Sequence, residues 1–260
     1  MSSNADATIN ALRAGHDELV AVVATLSPQR LIGPSQCADW DVSEVLSHLG
    51  SGAEITLAGL QRALDPTVVT PPNTQVWDRW NAMGAQDRAA AFAVVDEALV
   101  LAYEALDDDT RGTLLIDLGF LPEPVDVATA AGLRLNEFAL HSWDVRAALD
   151  PSATVDAGAA AALVDSSGLL LGWIGKAAEI DGDVQVLVET TGPARVFGLA
   201  ITDAVSKGEA PDAADATLRL PAESWLRLTT GRLSPETTSD AVTVSGSITL
   251  DDLRRVFPGF

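Results

Sequence analysis

The sequence predicts an α+β protein of two domains, a four-helix bundle followed by a small α+β domain. Apolar residues recur at three- and four-residue spacing through the first 150 residues, which is the pattern of amphipathic helices around one core. After Pro151 the pattern changes to short β-rich runs separated by Gly and Pro, which indicates strands and turns. We place the boundary near residues 150–156 and assign 1–152 to the bundle and 153–260 to the second domain.

Four segments of the N-terminal domain are predicted to be helices. In the first, helical spacing places His16 on an otherwise apolar face. The second has a complete start signal: Asp41 can cap the helix, Glu44 can reach back to it, and Trp40 can pack against Val45. The apolar positions are Ile9, Leu12, Leu19, Val23 and Leu26 in the first helix, and Phe92, Val95, Leu99, Ala102 and Leu106 in the third.

The fourth helix is predicted over about 127–149, because Asp126 can cap its start and Pro151 stands just beyond its end. Long, irregular connections separate the middle helices. Four such helices favour a four-helix bundle.

The second domain is predicted to combine helices with four strands. Residues 157–180 have a helical pattern, in which we expect Gly168, Gly172 and Gly175 to allow close helix packing rather than to form a cofactor loop. An Asp-Gly-Asp turn follows. The remaining elements are strands over 184–190, 195–202, 216–222 and 241–247, a short helix over 222–231 that Gly231 ends, and a terminal helix over 249–257 that Thr249 caps.

Charge and composition disfavour several classes of partner. There are 16 basic residues against 37 acidic ones, a net charge of −21, whereas binding to nucleic acid needs clustered Lys and Arg. The same charge disfavours an anionic membrane surface. No secretory signal is visible, and the longest apolar stretch, 168–175, is too short to cross a bilayer. We therefore expect a cytoplasmic protein without a nucleic-acid or membrane partner.

The cysteine content and the absence of several short motifs exclude some kinds of site and reaction. The single cysteine, Cys37, permits no intrachain disulfide and no cysteine-rich zinc site. Nothing near it in the sequence marks it as activated, so we interpret it as a spare thiol. The chain has no G-x-S-x-G, H-E-x-x-H, P-loop or G-x-G-x-x-G motif, and the chemistries that depend on these motifs are not expected.

Two histidines and one glutamate stand where helix geometry could form a metal site. Glu137 and His141 are four residues apart on the fourth predicted helix, so they share a face and can reach one cation. His48, on the second helix, is available as a third ligand. It would complete a two-histidine, one-carboxylate set of the kind that binds catalytic zinc or iron(II).

The residues leave alternatives open at each of these positions. An exposed ion pair of Glu137 and His141 is the alternative to a metal, although apolar neighbours favour an inward orientation, where a charge is costly unless paired or metal-bound. For His48 alone, a hydrogen-bonded core histidine is favoured, and Glu44 is a rival ligand or an orienting partner. His16 could approach the same interior, but a hydrogen-bonded packing role is favoured.

Two segments carry a resemblance to a known family. CADWDVSEVLSHLGSGAE and RLNEFALHSWDVRAALD resemble the mycothiol-dependent maleylpyruvate isomerase family, whose N-terminal domain is a DinB-like four-helix bundle. The resemblance implies that His48, Glu137 and His141 bind the metal. It extends to the C-terminal half, where SWLRLTTGRL matches a helix-Gly-Arg segment of the family's small α+β, sterol-carrier-like domain. It therefore covers nearly the whole chain.

The resemblance also implies thiol chemistry at a metal. The metal would be divalent, with zinc as first choice and iron(II) accepted by the same ligands. It would present mycothiol, a low-molecular-weight thiol of actinobacteria, as a thiolate. In the isomerase the thiolate adds to the cis double bond of maleylpyruvate, the resulting single bond rotates, and elimination returns fumarylpyruvate. Arg232 is implied for the substrate carboxylates, with Arg227 as second candidate.

The ligand set specifies activation of a thiol and says little about the electrophile. We therefore expect a metal- and mycothiol-dependent enzyme, with isomerisation of maleylpyruvate as the named reaction. A mycothiol S-transferase for other electrophiles is the close alternative. A non-catalytic metal or small-molecule binding protein is the alternative of a different class. The expected partners are the thiol and a small-molecule substrate, and the chain is expected to be a monomer or a homodimer.

Overall fold

The computed structural model describes residues 4–168 and 170–259. The chain divides into two compact units, Met1–Ala153 and Thr154–Phe260. The first contains helices and a short two-stranded sheet, and the second combines a five-stranded sheet with short helices, so the predicted α+β class is confirmed. Within the described residues, no helix is both long enough and apolar enough to cross a membrane.

Four long helices form the body of the first unit, as the apolar spacing predicts. Its elements are α1 (Asn4–Val23), α2 (Pro28–Leu31), α3 (Val42–Leu64), α4 (Asn73–Asn81), α5 (Ala85–Glu104), α6 (Asp108–Thr113), β1 (Leu115–Ile116), β2 (Val125–Asp126) and α7 (Val127–Leu149). Helix α3 packs against α5, and α1 packs against α7 and α5. The four-helix bundle is therefore confirmed, whereas the sequence does not predict α2, α4, α6 or the β1–β2 pair.

The predicted start signals of α3 and α7 make the expected contacts. A carboxylate oxygen of Asp41 accepts from the backbone N–H of Glu44 at 2.8 Å, and the Glu44 carboxylate accepts from that of Asp41 at 2.8 Å, which is a complete capping box. Asp126 accepts from the backbone N–H of Thr129 at 2.7 Å. These caps fix where the two helices begin, and hence the turn on which each later residue lies.

The apolar faces of the bundle helices meet in one core. Most of the apolar positions predicted for the first and third helices are buried, among them Ile9, Leu12, Leu19, Phe92 and Leu99. Removal of this apolar surface from water is the main favourable contribution to folding.

The second unit is built on a mixed five-stranded sheet. Its elements are α8 (Ala157–Leu163), α9 (Leu171–Ile174), β3 (Val184–Thr191), β4 (Arg195–Ile201), β5 (Val205–Gly208), β6 (Ala216–Pro221), α10 (Ala222–Thr229), β7 (Thr243–Gly246) and α11 (Leu250–Val256). The strand order is β5-β4-β3-β6-β7, in which β3 and β6 run parallel and the other pairs antiparallel. Alternate residues of β3 and β6 are buried, and α10 packs against these strands. The four predicted strands are confirmed, and β5 is an addition.

The prediction of one continuous helix over 157–180 is wrong. Helix α8 ends at Leu163, turns follow, and helical structure returns only in the one-turn α9 and in a 3-10 turn at Ala177–Glu179. The hydroxyl of Ser166 donates to the carbonyl of Leu163 at 3.2 Å, and that of Ser167 donates to the carbonyl of Val164 at 2.8 Å. Such local side-chain bonds offer the backbone an alternative to continued helix.

The glycines of this segment pack it against a strand rather than a helix. A Cβ at Gly175 would lie 2.6 Å from the Val205 side chain, and one at Gly168 would lie 3.0 Å from that of Lys207. Both partners belong to β5, and glycine allows this close approach. Leu169, which the predicted helix includes, lies outside the described residues.

Candidate metal centre

Three predicted ligands from two helices come together in the first unit. Helix α3 carries His48, and α7 carries Glu137 and His141 one turn apart. Glu137 Oε2 lies 3.1 Å from His48 Nε2 and 3.8 Å from His141 Nε2. One ligand atom from each residue forms a group in which all three lie within 4.8 Å of one another. The fold therefore unites residues that are 89 positions apart in the chain.

The donor set and its spacing suit a zinc-sized cation. Ligands about 2.1 Å from a tetrahedral zinc ion lie about 3.4 Å from one another, and the measured separations of 3.1 and 3.8 Å lie on either side of that value. Two imidazole nitrogens and one carboxylate oxygen are ligands that zinc and iron(II) both accept. Three protein ligands also leave room in the coordination sphere for a small molecule.

The group lies at the surface of the bundle rather than in its interior. The exposed fractions of the side chains are 38% for His48, 49% for Glu137 and 12% for His141. The expectation that Glu137 turns inward with the apolar residues of α7 is therefore wrong. A small molecule can reach the group from solvent without a change in the bundle.

Neighbouring side chains favour the anionic form of Glu137. Burial raises the pKa of this carboxyl, but the hydrogen bond from His48 and electrostatic interactions with His141, His48 and Arg134 lower it by more, so its pKa lies below the ordinary value. Glu137 is therefore an anion at neutral pH. This is the form in which a carboxylate binds a metal ion.

A buried carboxylate orients His141. Asp144 is fully buried, and its Oδ2 lies 2.9 Å from Nδ1 of His141. Since a carboxylate can only accept, this hydrogen bond favours the neutral imidazole with its proton on Nδ1, and Nε2 is then the nitrogen that can bind a metal together with His48 and Glu137. None of the sequence motifs indicates this role. The signal that could have found it is the three-residue spacing of His141 and Asp144, which places both on one helix face.

The loop before α3 covers one side of the group. The ring centroid of Trp40 lies 5.9 Å from that of His141, at 25° between the planes, and 5.2 Å from that of His48. The backbone N–H of Gln36 donates to the carbonyl of Asp144 at 3.0 Å and ties the loop to α7. One face of the centre is thus walled by an aromatic ring.

Cys37 lies closer to this centre than its sequence neighbours indicate. Its sulfur, a ring nitrogen of His141 and a carboxylate oxygen of Asp144 all lie within 4.8 Å of one another. These two residues follow Cys37 by more than 100 positions. The fold thus gives Cys37 two neighbours that its sequence context does not indicate, and its interpretation as a spare thiol stays a prediction.

The two rival positions have other partners. The Glu44 carboxylate is engaged by the backbone N–H of Asp41 in the capping box. His16 is 5% exposed, lies 2.8 Å from Asp96 through Nδ1 and 3.0 Å from Glu97 through Nε2. It is a hydrogen-bonded packing histidine, as predicted.

The two candidate arginines lie at the end of α10 and just after it. Arg227 is 3% exposed, and its guanidinium donates to both oxygens of Glu223, at 2.7 and 2.9 Å, and to the carbonyl of Thr237 at 3.0 Å. Arg232 is partly exposed and follows Gly231, whose φ of +73° ends the helical segment as predicted. Nη1 of Arg232 donates to the carbonyl of Thr230 at 3.3 Å.

The helical unit matches a described protein family. The model of the mycothiol maleylpyruvate isomerase N-terminal domain matches residues 12–146, which is more than half of the 260 residues. The chain belongs to this family. The resemblance carried by the two sequence segments is thereby confirmed. The matched range also contains His48, Glu137 and His141.

Two curated relatives of this family member come from Mycobacterium tuberculosis. They are uncharacterized proteins of strain CDC 1551 / Oshkosh and of strain ATCC 25618 / H37Rv. Each is 26% identical over 140 residues, which is 54% of this chain and 66% of the relative. The chain thus matches just under two thirds of the length of these proteins.

Two solved structures are similar in fold over most of the chain. They are crystal structures of the mycothiol-dependent maleylpyruvate isomerase and of a histidine-to-alanine mutant of it. Each gives a TM-score of 0.63 at 13% identity and covers 95% of this chain and 98% of that chain. At this identity the likeness shows a shared fold.

Proposed function

We propose that this protein is a metal-dependent enzyme that uses mycothiol as its thiol cosubstrate. The observation that carries the proposal is the meeting of His48, Glu137 and His141, with one ligand atom from each within 4.8 Å of the others. The group lies in the domain by which the chain belongs to the mycothiol maleylpyruvate isomerase family. Zinc is the first choice of metal, because the donor set and spacing suit it.

Each residue of the centre has a separate task. When bound, the metal would favour the thiolate form of a thiol that coordinates it. His48, Glu137 and His141 hold the metal, and Asp144 keeps Nε2 of His141 available to it. The ring of Trp40 shields one side from water, which strengthens electrostatic interactions within the centre. The exposed side remains open to the thiol and its electrophile.

The reaction assigned to this centre is the cis–trans isomerisation of maleylpyruvate. It is supported by the family description and by the fold shared with structures named for that activity. Arg232 is assigned to the substrate carboxylates, since a guanidinium can bind a carboxylate through two parallel hydrogen bonds. Arg227 is less suited because its side chain is buried, at 3% exposure, whereas that of Arg232 is partly exposed. The residues of the centre account for activation of the thiol and not for the choice of electrophile. A mycothiol S-transferase that acts on another electrophile would use the same residues and is therefore the alternative function.

Metal binding is tested by elemental analysis of protein purified without added metal and by zinc titration against a chromophoric chelator. We expect about one equivalent in the wild type, and a loss of affinity in His48→Ala and His141→Ala beyond the roughly 10–100-fold typical of orienting residues. Glu44→Gln is the matched control, because glutamine also completes a capping box. Less than about 0.1 equivalent in the wild type, with activity intact in both histidine variants, would contradict the proposal.

The reaction is tested by incubating the protein with mycothiol and either maleylpyruvate or a bimane electrophile. Formation of fumarylpyruvate with the thiol unchanged supports the isomerase. A stable thioether supports the S-transferase. Binding of the thiol without turnover of either compound would overturn the enzyme proposal in favour of a binding protein.

A further inference from the structure

A buried polar network joins the four long helices of the bundle. Arg134 of α7 donates from Nη2 to the carbonyl of Leu49 in α3 at 2.9 Å and to Oδ1 of Asp96 in α5 at 2.7 Å. The other carboxylate oxygen of Asp96 lies 2.8 Å from Nδ1 of His16 in α1. Arg134 and His16 are 5% exposed and Asp96 is 1% exposed. A single chain of hydrogen bonds therefore connects α3, α7, α5 and α1.

The network reaches both ligand-bearing helices within one turn of the ligands. Leu49, whose carbonyl accepts from Arg134, follows His48 in α3. Arg134 precedes Glu137 by three residues in α7, so the two side chains are neighbours on that helix. A Cβ at Gly52 would lie 3.1 Å from Nη1 of Arg134. Helix α3 thus leaves space for the guanidinium one turn after His48.

The network is poorly suited to supply stability alone. A buried ion pair loses the hydration of both charges, and its replacement by uncharged side chains of similar size is often neutral or stabilising. Arg134 Nε is, in addition, buried without a hydrogen-bond partner. The network instead defines the relative positions of three helices. Nη2 of Arg134 in α7 must lie within hydrogen-bond distance of both a carbonyl of α3 and a carboxylate of α5. Only one register of α7 against both helices satisfies this condition.

We propose that Arg134 and Asp96 are positioning residues of the metal centre. Their ion pair, with the bond from Arg134 to the Leu49 carbonyl, holds α7 in register with α3 so that the three ligand side chains meet. Neither residue belongs to the ligand set; Arg134 also presents its charge to Glu137, and the positioning role of both is exerted through the helices that carry the ligands. The inference rests on the proposed metal-binding function and goes beyond it by assigning the residues that set the spacing of the ligands.

The decisive variant removes the ion pair as a whole. Arg134→Met/Asp96→Asn eliminates both charges, preserves side-chain size and leaves an acceptor for His16. We expect a melting temperature and a helical circular-dichroism signal close to those of the wild type, because removal of a complete buried pair is tolerated. The zinc dissociation constant, from chelator competition, is expected to rise about tenfold or more. The visible spectrum of the Co²⁺-loaded protein should change with it, because it reports ligand geometry.

A matched ion pair of the same unit serves as control. Arg111 of α6 pairs with Asp6 of α1 at 2.7 Å, and Arg111 Nε, like that of Arg134, is buried without a hydrogen-bond partner. Asp6 lies in α1 and Arg111 in α6, two helices that carry none of the proposed ligands, and their side chains are 24% and 18% exposed. We expect Arg111→Met/Asp6→Asn to keep the zinc dissociation constant within about twofold of the wild type, below the effect of orienting residues.

The outcomes separate the inference from the function on which it rests. A folded Arg134→Met/Asp96→Asn variant that binds zinc as tightly as the wild type would overturn the positioning role. A wild type that binds no zinc would instead contradict the proposed function. If the double variant fails to fold, Arg134→Lys decides: its ammonium ends one bond short of Nη2 and reaches one of the two acceptors. Its zinc dissociation constant should then rise about threefold or more, and an unchanged constant overturns the proposal.

Discussion

At the level of single residues, Asp144 is the residue outside the ligand set with the most specific task in the metal centre. It is fully buried and lies 2.9 Å from Nδ1 of His141. We expect Asp144→Asn to weaken zinc binding about 10–100-fold, because a neutral amide stabilises a metal-bound imidazole less than a carboxylate does. Chelator competition measures the effect. Asn preserves the size of the side chain and an acceptor oxygen, so the fold should be retained.

The control for this substitution lies on the same helix. Asp126→Asn replaces the N-cap of α7, where asparagine caps as well as aspartate does. Its zinc affinity should equal that of the wild type. Equal affinities in the Asp126 and Asp144 variants would show that Asp144 does not orient His141 for a metal.

Local spacing and long-range contacts contribute differently to the centre. The spacing of Glu137 and His141 places both on one face of α7, and the resemblance adds His48; the structure brings all three together. Their assignment as ligands stays a prediction. The neighbourhood of Cys37 and the orienting bond of Asp144 could not be predicted in the same way. They depend on which loop lies over α7, and that is decided by contacts between segments far apart in the chain.

At the level of elements, α3 combines the proposed ligand His48 with a tight contact to α4. A Cβ at Gly50 would lie 2.1 Å from the ring of Trp80. This ring is 1% exposed and is held by a 2.9 Å hydrogen bond from its Nε1 to Glu54. We expect Gly50→Ala to lower the free energy of unfolding by about 1–3 kcal/mol, because the buried ring must move. Urea denaturation measures this value.

A second glycine provides the matched comparison. At Gly132 of α7 a Cβ would meet nothing within 4 Å. Gly132→Ala should therefore raise the free energy of unfolding by roughly 0.5–1 kcal/mol, since alanine is the better helix former. If Gly50→Ala stabilised the protein as Gly132→Ala is expected to do, that result would contradict the close contact between Gly50 and the Trp80 ring.

Elements with complete start signals are the ones that the sequence predicts well. Helices α3, α7 and α11 begin directly after the predicted caps Asp41, Asp126 and Thr249. A cap is a local signal, because the side chain bonds a backbone group within three residues. The short elements α4 and β5 have no comparable signal, and α2, although Ser27 caps it and Pro28 stands at its first position, is only four residues long. Segments of their length are stabilised by packing rather than by their own propensity.

At the level of the whole molecule, local sequence patterns predict the fold class but do not predict the order of the strands in the sheet. The change of pattern after Pro151 is sufficient to predict an α+β chain. The order β5-β4-β3-β6-β7, with its parallel β3–β6 pair, cannot be predicted from the sequence of any single strand. An alternating pattern defines which face of a strand is buried and leaves its partner undefined.

Carboxylates along the chain make its stability depend on pH. Hydrogen bonds from the residue two or three positions later hold the pKa of Asp65, Asp107 and Asp150 below the ordinary value. The folded chain therefore binds fewer protons at these groups than the unfolded chain does. Their contribution to stability is fully present above about pH 4, the ordinary pKa of aspartate. It is lost as the pH falls through the lower folded values.

The free energy of unfolding from urea titrations should therefore fall as the pH drops below about 4. It should fall less steeply in Asp65→Asn/Asp107→Asn/Asp150→Asn, because asparagine keeps an acceptor for each turn and does not titrate. Both proteins are compared at about 0.5 M salt, which screens the general repulsion of a chain with a net charge of −21. The difference between the two slopes then reports these three groups. Parallel slopes would mean that their hydrogen bonds are as strong in the unfolded chain as in the folded one, contrary to the structure.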